Sequence, residues 1–303
     1  MKIVVVGGNG LIGRALICAL KERGNCEILS IDKDEHSIDG CNCKQVDILN
    51  YKALVEGLVS ADVVYHKAGV LGGAKFSTDC TYAEVFFDAN IMGTSNVIEA
   101  SIANGVKKLV FDSSVAVYGE QSQSRLASEN IFPKARNFYG FSKVIAERLL
   151  YKSSKESSLN VNILRYSRVR TPDSEDVVYH FIKSINQGNP VKIYGNPRKQ
   201  IEFVDIRDVV KANIITLDLD VKWGTFNITS GEKVSLVELV KLCALYLGGK
   251  DFDIEFNDNI LNAEIEPLIT EMSTANARNI LGFVPSYDLS MMLSSTIRGM
   301  RSV

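Results

Sequence analysis

No stretch of the 303 residues approaches the roughly 18 consecutive apolar residues that a membrane-crossing helix needs. Net charge is also small: 34 Lys and Arg against 36 Asp and Glu leave −2 with His neutral. That balance carries no electrostatic footprint for nucleic acid or an anionic membrane, which excludes polyanion binding as the main role. Cysteine is sparse. Cys18, Cys26, Cys41, Cys43, Cys80 and Cys243 are too few for a disulfide scaffold of this size, and Cys41-Asn42-Cys43 is too closely spaced for a zinc knuckle. Free thiols are expected. His36, His66 and His180 have no metal-ligand spacing, so no metal site is expected, and His66 at a strand end reads as a packed, hydrogen-bonded residue. The opening residues place one Lys and four apolar residues ahead of a glycine cluster, too short for a signal-peptide core, and a cytoplasmic protein is expected. The chain shows neither an internal repeat nor a low-complexity tract.

What is there is a large core. Hydrophobic residues make up 46% of the chain, enough for one or two domains. Continuous apolar runs at Ile3 to Val6, Cys26 to Ile31, Val63 to His66, Leu109 to Asp112 and Val161 to Leu164 read as strands. Between them, Leu11 to Arg23, Tyr82 to Asn104 and Phe138 to Tyr151 carry helical periodicity. Alternation of buried strands with helices predicts an α/β fold, a doubly wound parallel sheet, over residues 1–170. Beyond Thr171-Pro172 the elements shorten, with strand-like runs at Ile201 to Val204 and Thr225 to Ile228 and helical periods at Leu236 to Leu247 and Met291 to Met300. A smaller α+β lobe is expected over 171–303, with some chain returning to the first domain. The Ser-rich stretch Ser153 to Ser158 reads as an exposed helix end and loop.

Directly after the first strand comes Gly7-Gly8-Asn9-Gly10-Leu11-Ile12-Gly13, followed by an amphipathic helix. Glycine is needed there because the chain turns tightly, a pyrophosphate must approach backbone N–H groups, and the helix must pack near the strand. The second strand ends in Asp32, where a carboxylate accepts hydrogen bonds from an adenosine ribose and repels a 2′-phosphate. NAD is therefore favoured over NADP. Tyr139 and Lys143 are four apart on a predicted helix and share a face. An ammonium beside a phenol favours the phenolate, so the pair can move a proton to or from a hydroxyl.

From these residues the chain resembles the extended short-chain dehydrogenase/reductase family, the NAD-dependent nucleotide-sugar epimerases and dehydratases. The further segments that carry the resemblance are Val46-Asp47-Ile48, Tyr65-His66-Lys67-Ala68-Gly69, Asn90-Ile91-Met92-Gly93-Thr94, Ser113 to Gly119, Tyr139-Gly140-Phe141-Ser142-Lys143, Phe203 to Asp208 and Leu281-Gly282-Phe283. The resemblance implies a Rossmann-type fold, bound NAD and a Ser/Tyr/Lys catalytic set of Ser114, Tyr139 and Lys143. It implies cofactor contacts at Gly7, Gly10, Leu11, Ile12, Gly13, Asp32, Asp47, Ile48, Ala68, Tyr139 and Lys143, with Asp47 at the adenine and Lys143 at the nicotinamide ribose. Ser113 is the weaker candidate for the hydroxyl partner.

The 4,6-dehydratases of the family carry an Asp-Glu pair just after the hydroxyl residue. Here Val115 and Ala116 stand there, and neither transfers a proton. The segment looks more like the 4-epimerases, which implies transient oxidation at C4 of a nucleotide-diphosphate sugar such as UDP-glucose or UDP-N-acetylglucosamine. Three departures touch the substrate. Arg168 stands where the family carries a substrate-contacting Asn, Ile201 replaces a phosphate-binding Arg, and Val70-Leu71-Gly72-Gly73 lacks the Lys of the galactose-type epimerases. Arg168, Arg170 or Arg198 can supply the phosphate contact, and structural ion pairing serves each equally well. Two other readings stay open: a reductase or dehydrogenase of a keto sugar or small carbonyl compound, and a non-catalytic dinucleotide sensor. The resemblance also implies a homodimer through the helix after Asn90 and the Tyr139 helix. Val97, Ile98, Val144 and Ile145 on these helices suit either a partner or the domain's own core.

Overall fold

The structure is a computed structural model that describes residues 1–71, 83–119, 126–197, 200–257 and 271–301. Seven parallel strands form its main sheet: β1 (Lys2–Val6), β2 (Glu27–Asp32), β3 (Asn42–Gln45), β4 (Val63–His66), β5 (Lys108–Ser114), β6 (Asn160–Tyr166) and β10 (Trp223–Ile228). Their order is β10-β6-β5-β4-β1-β2-β3, so the sheet reverses direction of growth between β1 and β4. Ligands of open α/β sheets bind outside the carboxyl ends of the strands at such a reversal.

The near-continuous apolar strands follow from burial on both faces. On one face, α1 (Leu11–Arg23) sets Leu16, Ile17 and Leu20 against Ile3, Val5 and Tyr65, and α7 (Ile206–Ile215) packs beside it through Val209 and Ala212. On the other, α2 (Tyr51–Gly57), α4 (Gly93–Ala103) and α5 (Phe138–Glu156) cover Val4, Val6, Val64 and Phe111 with Leu54, Val97, Ile98, Ala146 and Leu150. Val97 and Ile98 are therefore core residues, while Ile145 points outward. The helical period seen from Tyr82 resolves into a short α3 (Ala83–Phe86), a π-helical turn (Phe87–Met92) and α4. Edge strand β3, polar and mostly exposed, has no apolar run to announce it.

The chain from residue 168 onward divides its loyalty. β7 (Arg168–Arg170), β9 (Gln200–Asp205) and β11 (Lys233–Ser235) form a second sheet, and β8 (Val191–Tyr194) pairs with β12 (Ile254–Asn257). With α6 (Val177–Gln187), α8 (Leu236–Tyr246) and α10 (Leu289–Arg301) they enclose a separate core around Phe181, Phe203, Leu239 and Leu293. α7 and β10 return to the main sheet, and α9 (Ala275–Asn279) follows through Ala277. Ser154, expected at an exposed helix end, is instead buried, with its hydroxyl donating to the Lys222 carbonyl at 3.1 Å.

Candidate active site

The glycine loop closes on the carboxyl end of β1. The Gly7 and Gly8 N–H groups both donate to the Ile31 carbonyl, at 2.7 and 3.1 Å, so the chain folds over the end of β2. Gly7 has φ +83°, and a Cβ there would lie 2.3 Å from the Ala68 nitrogen; a Cβ on Gly13 would lie 2.2 Å from the Gly7 carbonyl oxygen. Both glycines are required by backbone packing. Gly10, the residue before α1, differs: its backbone is ordinary extended chain, and a Cβ would meet only the Gly7 oxygen at 3.4 Å. What lies over Gly10 is room for a ligand at the helix N-terminus, where unpaired N–H groups and the helix dipole favour a phosphate. Leu11 is exposed there and Ile12 half-buried.

Asp32 braces the loop, its Oδ2 accepting from the Asn9 N–H at 3.0 Å and its Oδ1 from the Asp34 N–H at 3.3 Å. The Val46 N–H donates to the Asp32 carbonyl, which brings exposed Asp47 alongside. Asp47 accepts from the Leu49 N–H at 2.9 Å, and Ile48 turns inward against Gly93. At the end of β4 the Lys67 and Ala68 N–H groups donate to the Val6 carbonyl, holding Ala68 against Gly7.

The catalytic candidates converge from β5 and α5. Ser114 ends β5, and its Oγ accepts from the Ala116 N–H at 3.2 Å, opening a 3-10 turn over Val115–Val117. Asn137 starts α5 by accepting from the Gly140 N–H at 2.7 Å. A Cβ on Gly140 would lie 2.6 Å from the Ala116 carbonyl oxygen, so glycine lets α5 begin against that turn. Tyr139 is thereby delivered to Ser114, whose hydroxyl favours the ionised phenol. One helical turn on, Lys143 donates to the Asp112 carbonyl at 2.8 Å, with its ammonium 4.7 Å from the Phe111 ring centre and 5.9 Å from that of Tyr139. Ser113 points elsewhere, donating to Glu147 at 2.5 Å.

Burial governs the electrostatics. It pushes the Tyr139 phenol up to about 12, against the pull of the Ser114 hydroxyl and with the Asp112 carboxylate adding to the rise. It also pulls the Lys143 ammonium down to about 8, opposed by Asp112 and Glu147. His66 is buried and pulled down to about 3, first by burial and then by Lys143 and Lys67; its Nε2 sits 2.9 Å from the Thr94 hydroxyl. A neutral, packed imidazole results.

The substrate-side candidates separate. Arg168 begins β7, two residues past Tyr166, whose register partner is Ser114. Arg170 is a correction to the sequence expectation: it is 1% exposed inside the smaller lobe, paired with Asp176 at 3.1 Å and donating to Thr296, with no open face for a phosphate. Ile201 packs in the same core. Arg198, Gly72, Gly73 and Cys80 lie outside the described residues. Sequence reasoning singled out the segments of Asn90 and Lys67 but gave neither residue the supporting role it has here. Asn90, in the π-helical turn, accepts from the Val70 N–H at 2.8 Å and donates to the Val70 carbonyl and the Ser142 hydroxyl, tying the loop after β4 to α5. A π turn interrupting a helix is a common mark of such a site, but nothing in local composition announces it. The second support, Lys67 with Asp112, pairs across strands and has no sequence spacing to reveal it.

The family model described as the NAD dependent epimerase/dehydratase family matches residues 3–229. The chain belongs to this family. The epimerase/dehydratase match spans the glycine loop, Ser114, Tyr139 and Lys143. Among curated relatives, the UDP-glucose 4-epimerase of Mycoplasma genitalium is 26% identical over 333 residues, covering 97% of this chain and 94% of that protein. Among solved structures, MoeE5 in complex with UDP-glucuronic acid and NAD matches with TM-score 0.87 and 27% identity over the whole of both chains. The UDP-glucuronic acid 4-epimerase of Bacillus cereus, in complex with UDP-glucuronic acid and NAD, matches with TM-score 0.89 and 25% identity over 100% of this chain and 99% of that one. The cradle of Gly7, Gly10 and Gly13, open above Gly10 alone, fits the pyrophosphate of such a cofactor.

Proposed function

We propose that the protein is an NAD-dependent 4-epimerase of a UDP-sugar. The observation that carries this reading is the placing of Tyr139 against Ser114, with Lys143 one turn on, beside a glycine cradle open only above Gly10. Gly7, Gly10 and Gly13 take the pyrophosphate, Leu11 and Ile12 flank it, Asp32 takes the adenosine ribose, Asp47 and Ile48 border the adenine, and Ala68 and Lys143 hold the nicotinamide half. When bound, NAD supplies a reversible hydride acceptor whose cationic ring opposes the burial penalty on a phenolate.

The chain's own residues handle the proton. Ser114 orients the sugar's 4-hydroxyl, and the Tyr139 oxygen takes its proton as the C4 carbon is oxidised to the ketone. Tyr139 returns the same proton when C4 is reduced from the other face, so the products differ from the substrate in configuration alone. Val115 and Ala116 beside Ser114 have no group to pull a proton from C5 or to protonate a leaving hydroxyl, which keeps the ketone from eliminating water. Arg168, at the mouth of β7, takes a substrate phosphate.

The proposal extends to a cytoplasmic homodimer. Its support is the apolar surface on adjacent helices, with Phe87 53% and Phe141 52% exposed beside Met92 and Ile145. Light scattering of the purified protein tests it, a monomer at tens of micromolar being the adverse result. The activity test incubates the protein with UDP-glucose, UDP-glucuronic acid and UDP-N-acetylglucosamine and substoichiometric NAD. Products are followed by NMR, and cofactor by its absorbance. A C4-inverted sugar without net NADH supports the reading, whereas stoichiometric cofactor conversion replaces it with an oxidoreductase.

A further inference from the structure

Beneath the catalytic pair lies a closed ring of four polar side chains. Lys67 donates to Asp112 Oδ1 at 2.5 Å and to Asn213 Oδ1 at 2.6 Å; Tyr166 donates to Asp112 Oδ1 at 2.8 Å; Asn213 Nδ2 donates to the Tyr166 hydroxyl at 2.8 Å. The orientation of the Asn213 amide is fixed, since its Nδ2 also donates to the Val209 carbonyl at 2.8 Å. Lys67 therefore faces two acceptors, the arrangement of an ammonium, and its side chain is 1% exposed. The ring joins the ends of β4, β5 and β6 to α7. It meets the catalytic pair at one atom, because the β4–β5 register ends at His66 and Phe111 and the next carbonyl, that of Asp112, is the one Lys143 donates to.

Resting on the roles given above to Tyr139 and Lys143, we propose that the Lys67–Asp112 ion pair, closed by Tyr166 and Asn213, is a positioning element for Lys143. It pins the carbonyl that holds the lysine, and it balances the charge the lysine works in. A buried ion pair is weak as a source of stability, since its desolvation offsets its attraction. Placed one peptide unit from a catalytic ammonium, it has another consequence. The carboxylate of Asp112 favours the charged lysine and disfavours the Tyr139 phenolate, while the ammonium of Lys67 opposes the first effect. Lys143 also faces Glu147 and Tyr139 on its own helix and neutral His66 from β4. None of these three belongs to the ring, so the ring's two charges can be removed separately.

The test is an NMR titration of 13Cε-lysine-labelled full-length protein, with the Lys143 resonance assigned by its loss in Lys143→Met. In Asp112→Asn the lysine loses its attracting charge, and its midpoint falls by about one pH unit. In Lys67→Met the carboxylate keeps the Tyr166 hydroxyl while Lys143 loses a repelling charge, and the midpoint rises by about one unit. The double variant returns near the wild-type value. Tyr166→Phe, which removes a hydrogen bond without a charge, lowers the melting temperature and leaves the midpoint in place. The pH–rate profile of the two single variants moves in the same directions relative to wild type, with its alkaline limb, where Lys143 loses its proton, displaced down in Asp112→Asn and up in Lys67→Met. Should Lys67→Met fail to fold, Asp112→Asn against Tyr166→Phe still decides. Variants that melt earlier with an unmoved Lys143 midpoint, or shifts of the same sign in both singles, overturn the proposal. The titration needs no substrate, so absence of epimerisation in the panel above would remove the activity reading and leave this test standing.

Discussion

The glycine loop makes two changes of the same size distinguishable. At Gly13 a methyl group would sit 2.2 Å from the Gly7 carbonyl oxygen and 2.7 Å from the Gly8 Cα, all backbone atoms that cannot turn aside. Overpacking of that kind costs about 1–3 kcal/mol, or more where nothing yields. For a chain of this size that is a fall of roughly 2–5 °C in melting temperature. At Gly10 the same methyl group meets one oxygen at 3.4 Å on a backbone any residue adopts, and stability should change by less than about 1 kcal/mol. The methyl group there occupies the pyrophosphate's path instead. At a concentration one hundred times the wild-type dissociation constant, NAD should add about 2.7 kcal/mol of stability. A tenfold weaker site would add only about 1.4 kcal/mol at the same concentration. Thermal unfolding of wild type, Gly10→Ala and Gly13→Ala, each with and without NAD, separates the two effects. The expected pattern is an early-melting Gly13→Ala, and a Gly10→Ala that melts normally alone and responds weakly to the cofactor. A Gly10→Ala protein stabilised by NAD as fully as wild type would refute the placement of the pyrophosphate over Gly10.

Tyr139→Phe should lower kcat by about 10²–10⁴-fold with little change in melting temperature, read by the NMR assay on whichever sugar nucleotide turns over. Burial holds Lys143 down at about 8 against 10.5 for an ordinary lysine, so between those values the unfolded chain binds the extra proton and this residue makes stability rise with pH. Urea unfolding of wild type and Lys143→Met at pH 8 and pH 10 should show the difference moving in favour of wild type by about 2–3 kcal/mol, and a flat difference would contradict the depressed pKa. Glu147→Gln leaves the Arg165 guanidinium, now bound through two contacts of 2.9 and 2.7 Å, without its buried counter-ion; a loss of about 3–5 kcal/mol is expected by denaturant unfolding.

The main sheet was legible because strands buried on both faces are written as apolar runs, and α1 because Leu16, Ile17 and Leu20 keep helical spacing. The placements that depend on one local turn were legible too: the loop around Gly7 and Gly13, and the approach of Tyr139 to Ser114 from a helix start. What depends on the tertiary fold was not. Arg170 looks in sequence like any free arginine beside a site, and only the fold reveals Asp176 and Thr296 against it. Lys67 and Asp112 lie 45 residues apart and become neighbours through sheet register alone. Edge strand β3 escaped because an edge need not be apolar, and its polar residues are suited to being left unpaired.

The return of α7 and β10 to the main sheet makes the two lobes a single inheritance. Val209, Ala212, Phe226 and Ile228, all beyond residue 170, fill the core beside α1, and β10 covers the flank of β6 along its full length. A chain ending after β7 would bare that flank, with its N–H and C=O groups unmatched, and open the face that holds Leu16 and Tyr65. The smaller lobe therefore cannot be traded between relatives as a terminal cassette. A change of length is absorbed in the excursions between β6 and α7 and beyond β10, and each altered excursion must rejoin the same sheet.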